Sequence, residues 1–352
     1  MKRRLILHLG LPKTGTSTVQ EFFRRNRDKL SAAGIIFPRV DVAAADISDW
    51  KTPAGHPARL GGHQPLAVEL RSVQRGADGR GGHLPLWSAV FQQIQQSDAH
   101  TVVISSEALG GKVESLDFGG LKERFAEFDV TGIVYLRSQE SWVISYYGQK
   151  VRGEARTSTP ISDFRLYRKS ERLRYSEKLD MIVKMVPLDR IVVGNFDDAV
   201  RVGLLDDFLQ LADLPRDLAS GDETSKRRNA ALPHWATLFL VRCNAARLPD
   251  AAFYAVRDAL GVMVSNGRDP ELRPGLDVAS PTERRTLREL TILDAERLAE
   301  KYGVTFRAQA TESTYRPFER QDFVSIRRAL KSDVDQATFR ALRRIDDGFA
   351  QP

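Results

Sequence analysis

The first 34 residues hold the feature that most restricts the fold of this chain. An apolar run, RLILHL at 4–9, stops at Gly10, and a turn of Gly, Pro, Lys and hydroxyl residues follows. Apolar residues then recur at near-helical spacing from Val19 to Leu30, and Gly34 stands where a helix would end. A strand, a glycine turn and a helix in this order bring free backbone N–H groups and the positive end of a helix dipole together. The sequence therefore predicts an anion site at this turn.

Strand-like and helix-like segments alternate along the first part of the chain. Apolar runs occur at 100–105, 130–138 and 189–196, and helical patterns follow at 139–151 and 198–215. Because strands that are buried on both faces are almost continuously apolar, this pattern predicts a parallel sheet between two layers of helices. From about residue 229 the pattern is almost wholly helical. We expect an α/β fold with a three-layer α/β/α core and a helical C-terminal part.

The expected domain organisation has two parts without a convincing linker between them. Residues 1–245 form the α/β domain, and residues 246–352 form a helical extension packed on the same domain. A stretch at about 40–85 is rich in Gly, Pro, Ala and His and has little periodicity, so we expect a loop-rich insertion there.

Composition limits the class of protein and its partners. The chain has 352 residues, and its hydrophobic content of 42% is typical of a globular protein with a sizeable core. Its net charge of +7 comes without zinc-finger spacing, an RNP-like motif or a basic tail, so we expect no nucleic-acid partner. The apolar run at 5–11 is short, is interrupted by His8 and leads into Pro-Lys without a small-residue cleavage site, so it does not match a signal peptide. No run is long enough for a membrane helix. We expect a cytoplasmic protein without stable membrane insertion.

The turn at 10–17, GLPKTGTS, almost matches the phosphate loop GxxxxGK[ST] of nucleotide triphosphatases. Thr16 occupies the lysine position, and the lysine lies three residues earlier, at Lys13. Those enzymes also use an acidic residue at a strand end to hold magnesium, whereas Asp197 follows its apolar run only after a gap of three residues. The residues favour anion binding by backbone, hydroxyls and lysine without a metal site. A kinase or NTPase that uses Mg-ATP remains the alternative.

The stretch PKTGTSTVQ resembles the 5′-phosphosulfate loop of sulfotransferases that use 3′-phosphoadenosine 5′-phosphosulfate (PAPS). The wider stretch at 7–38 is similar to bacterial members that act on carbohydrate-type acceptors. The resemblance implies a P-loop-like fold, in which Lys13 binds the bridging oxygen between phosphate and sulfate. The 5′ end of the cofactor would be held by backbone N–H groups and hydroxyls of Thr14, Gly15, Thr16, Ser17 and Thr18.

A second motif supports the same resemblance. In YLRSQESWVISYY, Arg137 ends a strand and Ser145 follows eight residues later in a helix. Sulfotransferases of this family bind the cofactor's 3′-phosphate with an arginine and a serine at that separation. Relatives carry a basic loop that closes over the same phosphate, and the segment at 225–233, with Lys226, Arg227 and Arg228, lies at the corresponding place. A solvated loop explains this segment equally well. The resemblance covers roughly residues 4–245.

The family uses a Glu or a His as the base that takes the acceptor's proton. Glu107 stands at the tip of the strand VVISSE, and His63 begins a helix-like segment in the 40–85 stretch. We rank these two close together as catalytic candidates, ahead of His83, which begins the similar segment HLPLW.

These features together predict a sulfotransferase that uses PAPS and releases 3′-phosphoadenosine 5′-phosphate (PAP). The sulfuryl group would pass to a hydroxyl or amine of a glycan, glycolipid or other glycoconjugate, with a small hydroxylated metabolite as a further acceptor class, and no metal would be required. A non-catalytic relative that binds a nucleotide or polyanion is a further alternative.

Overall fold

The computed structural model describes residues 2–41, 62–73, 84–111, 113–163, 173–221, 232–307 and 315–348. These residues divide into two compact units. The first contains the described parts of Met1–Ser138, Arg174–Arg227 and Leu293–Phe306. The second contains the described parts of Gln139–Leu173, Arg228–Ile292 and Arg307–Pro352.

A five-stranded parallel sheet forms the centre of the first unit. Its strands are β1 (Arg3–Leu9), β2 (Ile35–Ile36), β3 (Thr101–Ser106), β4 (Phe128–Leu136) and β5 (Arg190–Asn195). The strand order is β2-β3-β1-β4-β5, and every neighbouring pair is parallel. The α/β class with a central parallel sheet, predicted from the sequence, is confirmed.

Helices cover both faces of this sheet. They are α1 (Thr16–Arg25), α2 (Arg27–Ala32), α3 (Gln64–Val73), α4 (Pro85–Gln95), α5 (Glu107–Gly111) and α6 (Lys122–Phe125), and later α8 (Tyr175–Met185), α9 (Phe196–Val202) and α10 (Leu204–Leu211). Alternate residues of β1 enter two separate clusters of buried side chains. Leu7 packs with residues of α3, α4 and α8, whereas Ile6 packs with residues of α1, α2 and α10. The predicted layering of helices on both sides of the sheet follows from this alternation.

The connections that follow β1 and β3 run over opposite faces of the sheet. After β1 the chain enters α1, whose Val19 and Phe22 lie in one cluster, and after β3 it enters α5, whose Leu109 lies in the other. In open parallel sheets such a change of side creates a crevice at the carboxyl ends of the two strands. This is the edge of the sheet to which the predicted anion loop belongs.

The second unit is helical among its described residues. It contains α7 (Gln139–Arg152), α11 (His234–Ala245), α12 (Asp250–Ser265), α14 (Arg320–Ala329) and α15 (Gln336–Gly348), together with the part of α13 (Pro281–Tyr302) up to Ile292. Its core includes Trp142, Phe239 and Phe253, and the cysteine Cys243 is buried there. Glu140 is buried and forms ion pairs with Arg284 at 2.5 Å and Arg288 at 2.7 Å.

Two predicted helices are each broken once. The helix predicted at 198–215 is divided into α9 and α10 by Gly203, whose φ of 112° a residue with a side chain rarely adopts. The helical pattern after the first turn is divided at Asn26, between α1 and α2. In both places the apolar spacing continues across the break, which is why the sequence pattern did not reveal it.

Candidate functional site

The turn after β1 is built on close backbone contacts. The Gly10 N–H donates a hydrogen bond to the Ser106 carbonyl oxygen at 3.0 Å, which joins the ends of β1 and β3. A Cβ atom at Gly10 would lie 2.5 Å from Thr16 Oγ1, and one at Gly110 would lie 2.6 Å from the Gly10 oxygen. Glycine at position 10 therefore lets the turn close over the first turn of α1, and glycine at position 110 lets α5 approach the backbone at the end of β1.

Lys13 and Gly15 shape the part of the loop that faces the predicted ligand. Both have left-handed backbone conformations, with φ of 70° and 76°. Thr14, between them, is buried, and its hydroxyl donates to the Leu11 carbonyl at 2.8 Å. Gly15 is the N-cap of α1, and no side chain caps this helix. Without a side-chain cap, the start of α1 can offer N–H groups to an acceptor from outside the helix, although the Thr18 N–H already donates to the Gly15 carbonyl at 2.9 Å.

The hydroxyl residues of α1 differ in their surroundings. Thr16 is buried, and among the described residues its Oγ1 has no hydrogen-bond partner. Ser17 is exposed and Thr18 is half-buried. A buried hydroxyl without a partner costs on the order of 1–3 kcal/mol. An incoming oxygen atom or a bound water at Thr16 would offset this cost.

Glu107 begins α5 directly after β3 and is half-buried. Burial raises the pKa of its carboxyl group above the usual range, and the positive charge of Lys13 acts in the opposite direction. The two side chains are thus close enough to interact electrostatically. A carboxylate with a raised pKa beside a lysine is suited to accept a proton.

His63 is buried, and both of its ring nitrogens have backbone partners. Nδ1 accepts a hydrogen bond from the Ser105 N–H at 3.0 Å, so Nε2 carries the proton and donates to the Pro38 carbonyl at 3.0 Å. Burial lowers the pKa of His63 to about 4. The ring therefore joins the chain after β2 to the end of β3, in neutral form. These contacts leave neither nitrogen for an acceptor substrate.

Arg137 follows β4 at the same edge of the sheet. Its Nε lies 3.4 Å from Asp197 Oδ1, and the other oxygen of Asp197 accepts a hydrogen bond from the Ser138 N–H at 2.9 Å. The guanidinium carbon is 5.6 Å from the centre of the Phe196 ring. Asp197, which lay too far from its apolar run to be read as a magnesium ligand, thus contacts the predicted phosphate-binding arginine.

Other predicted site residues belong to the second unit or lie outside the described residues. Ser145 lies on α7, in the second unit, and is half-buried. His83 and Arg228 lie outside the described residues, as do Lys226 and Arg227. The roles predicted for Ser145 and Arg228 stay predictions.

Two residues of the site were missed by sequence reasoning. Phe196 contacts the loop, since a Cβ at Gly15 would lie 2.8 Å from Phe196 Cε2. Gly110 contacts the backbone of Gly10. The position of Phe196 directly after an apolar strand was the signal that could have placed it at this edge of the sheet.

Two further features of the described ranges concern metal binding and membrane insertion. No group of three or more His, Cys, Asp or Glu side chains there could hold a metal ion. None of the described helices is both long and apolar enough to cross a membrane.

Comparison with known proteins gives a structural likeness but no match by sequence. No family model matches the chain, and no curated protein matches it. A solved structure to which it is similar is that of a sulfotransferase from Alicyclobacillus acidocaldarius, with 17% sequence identity and a TM-score of 0.36. The alignment covers 76% of this chain and 98% of that chain.

Proposed function

We propose that this protein is a sulfotransferase that transfers the sulfuryl group of PAPS to a hydroxyl or amine of a carbohydrate or glycoconjugate. The observation that carries the proposal is the loop after β1. There Lys13 lies two residues before Gly15, the N-cap of α1, and no side chain caps this helix. Glu107 lies close enough to interact electrostatically with Lys13. A lysine for the leaving oxygen and a carboxylate for the incoming nucleophile are the two groups that this reaction needs.

The loop residues fit the phosphosulfate group. Glycine at positions 10 and 15 lets the backbone approach closely, because a Cβ at either position would meet another residue at 2.5 Å or less. The uncapped N-terminus of α1 offers N–H donors and a positive dipole to an anion. The buried Oγ1 of Thr16 adds a hydroxyl that lacks a partner within the described residues.

The proposed reaction is an in-line displacement at sulfur. The acceptor oxygen or nitrogen forms a bond to sulfur, the bond from sulfur to the bridging oxygen breaks, and the electron pair stays on that oxygen in PAP. Lys13 would stabilise the negative charge that develops there, as electrostatic preorganisation does in other group transfers. Glu107 would accept the proton of the acceptor, and the buried His63 would hold the strand ends in place.

Arg137 would bind the 3′-phosphate of the nucleotide. A guanidinium suits this task because its N–H donors match the geometry of phosphate oxygens. Ser145 and Arg228 remain proposed contributors to the same phosphate on the resemblance alone. In the Mg-ATP alternative Asp197 would be the metal-holding acid, whereas its carboxylate contacts Arg137 and Ser138.

Calorimetric titration tests the proposal. Wild type, Arg137→Ala and the control Arg201→Ala are titrated with PAP without metal, and with ATP plus magnesium. Arg201 is exposed and pairs with Asp198 on α9, so its removal tests for a non-specific loss of charge. We expect tight PAP binding that Arg137→Ala weakens at least tenfold and Arg201→Ala leaves unchanged. Absence of PAP binding, or preference for Mg-ATP, contradicts the proposal.

Transfer itself is tested with a panel of hydroxylated and aminated glycans, with PAP release and product mass as the measurements. We expect at least one acceptor to gain the mass of a sulfuryl group. PAP binding without transfer to any acceptor would instead indicate a non-catalytic nucleotide-binding protein.

A further inference from the structure

The first residues of α9, Phe196 and Asp197, lie beside Arg137. β4 and β5 are paired so that Leu136 lies opposite Asn195, which places Arg137 and Phe196 next to each other where the two strands end. The Asn195 side chain caps α9, since its Oδ1 accepts hydrogen bonds from the N–H groups of Asp197 at 2.9 Å and Asp198 at 3.3 Å. The backbone that carries Phe196 and Asp197 is therefore fixed at its start.

The Asp197 carboxylate contacts both Arg137 and Ser138, the residue that follows Arg137. One carboxylate oxygen lies 3.4 Å from Arg137 Nε, and the other accepts the Ser138 N–H at 2.9 Å. Both side chains of the ion pair are largely shielded from solvent, with 25% of Arg137 and 21% of Asp197 exposed. A guanidinium has five N–H donors, so a contact at Nε does not exhaust its capacity for an anion.

Phe196 connects the same arginine with the anion loop. Its ring centre is 5.6 Å from the Arg137 guanidinium carbon. The Cε2 atom of this ring lies 2.8 Å from the place that a Cβ of Gly15 would take. One aromatic ring thus contacts both the loop and the arginine, and a rigid ring between two groups sets the distance between them.

We propose that Asp197 is a positioning residue for Arg137, and that Phe196 fixes the distance from Arg137 to the loop at Gly15. The site would in this way select nucleotides that carry two separated anionic groups over nucleotides that carry one. The inference rests on the proposed function, in which the loop and Arg137 bind the same nucleotide. It adds two residues that neither touch the sulfuryl group nor belong to the loop.

The test compares two ligands that differ only in the 3′-phosphate. PAP and AMP are titrated calorimetrically, without metal, into wild type, Asp197→Asn, Arg137→Ala and the double variant. Asparagine keeps an oxygen for the Ser138 N–H but removes the negative charge beside Arg137. Asp198→Asn is the matched control, because it makes the same change one residue later, on a carboxylate that pairs with Arg201 at 3.0 Å. Thermal midpoints of all variants are measured in parallel.

We expect Asp197→Asn to weaken PAP binding about tenfold and to change AMP binding less than twofold, as coupled neighbouring residues do. In the Arg137→Ala background the same substitution should have no further effect on PAP. Asp198→Asn should leave both ligands unchanged. Phe196→Leu should also weaken PAP more than AMP, and it replaces Asp197→Asn as the decisive variant if the latter does not fold.

Other outcomes overturn the inference. Unchanged or tighter PAP binding by Asp197→Asn would mean that the carboxylate does not position Arg137. An equal loss for AMP, or the same loss in the Arg137→Ala background, would mean general damage to the site. If wild type does not bind PAP, the proposed function and this inference are both wrong. If wild type binds PAP and the variants do not behave as expected, only the inference about Asp197 is wrong.

Discussion

Lys13 and Gly15 both have left-handed backbone conformations, on either side of the buried Thr14. A lysine with a φ of 70° is unusual, because a Cβ crowds the backbone in that region. Residues held in such conformations concentrate at functional sites. The loop therefore retains a side chain at a position where glycine would be the less strained choice.

This strain predicts different stabilities but the same loss of activity for two substitutions at Lys13. We expect Lys13→Gly to be more stable than Lys13→Ala by about 1 kcal/mol, since glycine adopts positive φ without a Cβ penalty. Both variants should lose sulfuryl transfer to the same extent, because both lack the amine. Urea unfolding gives the free energies, and PAP release gives the activities. Alanine being equally stable would show that the position is not strained, and activity in either variant would contradict the role of the amine.

Substitution of Gly15 by alanine should destabilise the protein by about 2 kcal/mol or more. Alanine would have to adopt the positive φ of this position, and its Cβ would lie 2.3 Å from Leu204 Cδ2 and 2.8 Å from Phe196 Cε2. Adding Leu204→Ala relieves the closest contact but not the backbone strain. The double variant should therefore lose less free energy of unfolding than the sum of the two single losses, and it should still be less stable than wild type. Urea unfolding of the two single variants and the double variant measures this coupling. Strict additivity would contradict the contact.

The sequence predicted the parts of the site that depend on local order along the chain. Apolar runs located the strands, and the residues directly after them (Gly10, Glu107 and Arg137) lie at one edge of the sheet because the strands are parallel. The left-handed Lys13 could not be predicted, since nothing in its sequence context requires a positive φ.

The tasks of His63 and Asp197 depend on contacts between segments far apart in the chain. His63 was a candidate base because the family that the chain resembles uses a Glu or a His, and His63 begins a helix-like segment. Its partners Pro38 and Ser105, however, lie 25 and 42 residues away. Asp197 stands 60 positions after Arg137, and only the pairing of β4 with β5 shows that they meet. Sequence spacing could not supply either relationship.

Glu107 and His63 should respond differently to the same kind of substitution. Glu107→Gln removes the proposed base without changing side-chain volume, so turnover should fall about 100-fold or more while PAP affinity changes less than twofold. His63→Gln should lower the free energy of unfolding by about 1–3 kcal/mol, because buried backbone groups lose their partners, with turnover per folded molecule largely retained. Rates are measured at 25 °C on the fraction shown to be folded. The reverse pattern would make His63 the base.

The pH dependence of Glu107 should appear in the rate. Burial raises its pKa, so the carboxylate that accepts the proton is lost at a higher pH than for an exposed glutamate. The rate should therefore fall as the pH drops through this raised pKa, and Glu107→Gln should lack that acidic limb. A limb that persists in the variant belongs to another group.

His8 and His63, which are fully buried among the described residues, make stability depend on pH in a direction that the structure determines. Burial lowers the pKa of His63 to about 4 and that of His8 to about 3, from 6.5. Above pH 6.5 both are neutral in the folded and unfolded chain, and their contribution to stability is complete. Between 6.5 and about 4 the unfolded chain binds protons that the folded chain does not, so stability falls by about 1.4 kcal/mol per pH unit for each histidine.

Urea unfolding at several values from pH 6.5 to 5 measures the slope, and His63→Gln should remove about half of it. Ring resonances of His8 and His63 should not titrate above pH 5 in the folded protein. Stability that rises as the pH falls, or a ring that titrates near 6.5, would contradict the burial of these side chains.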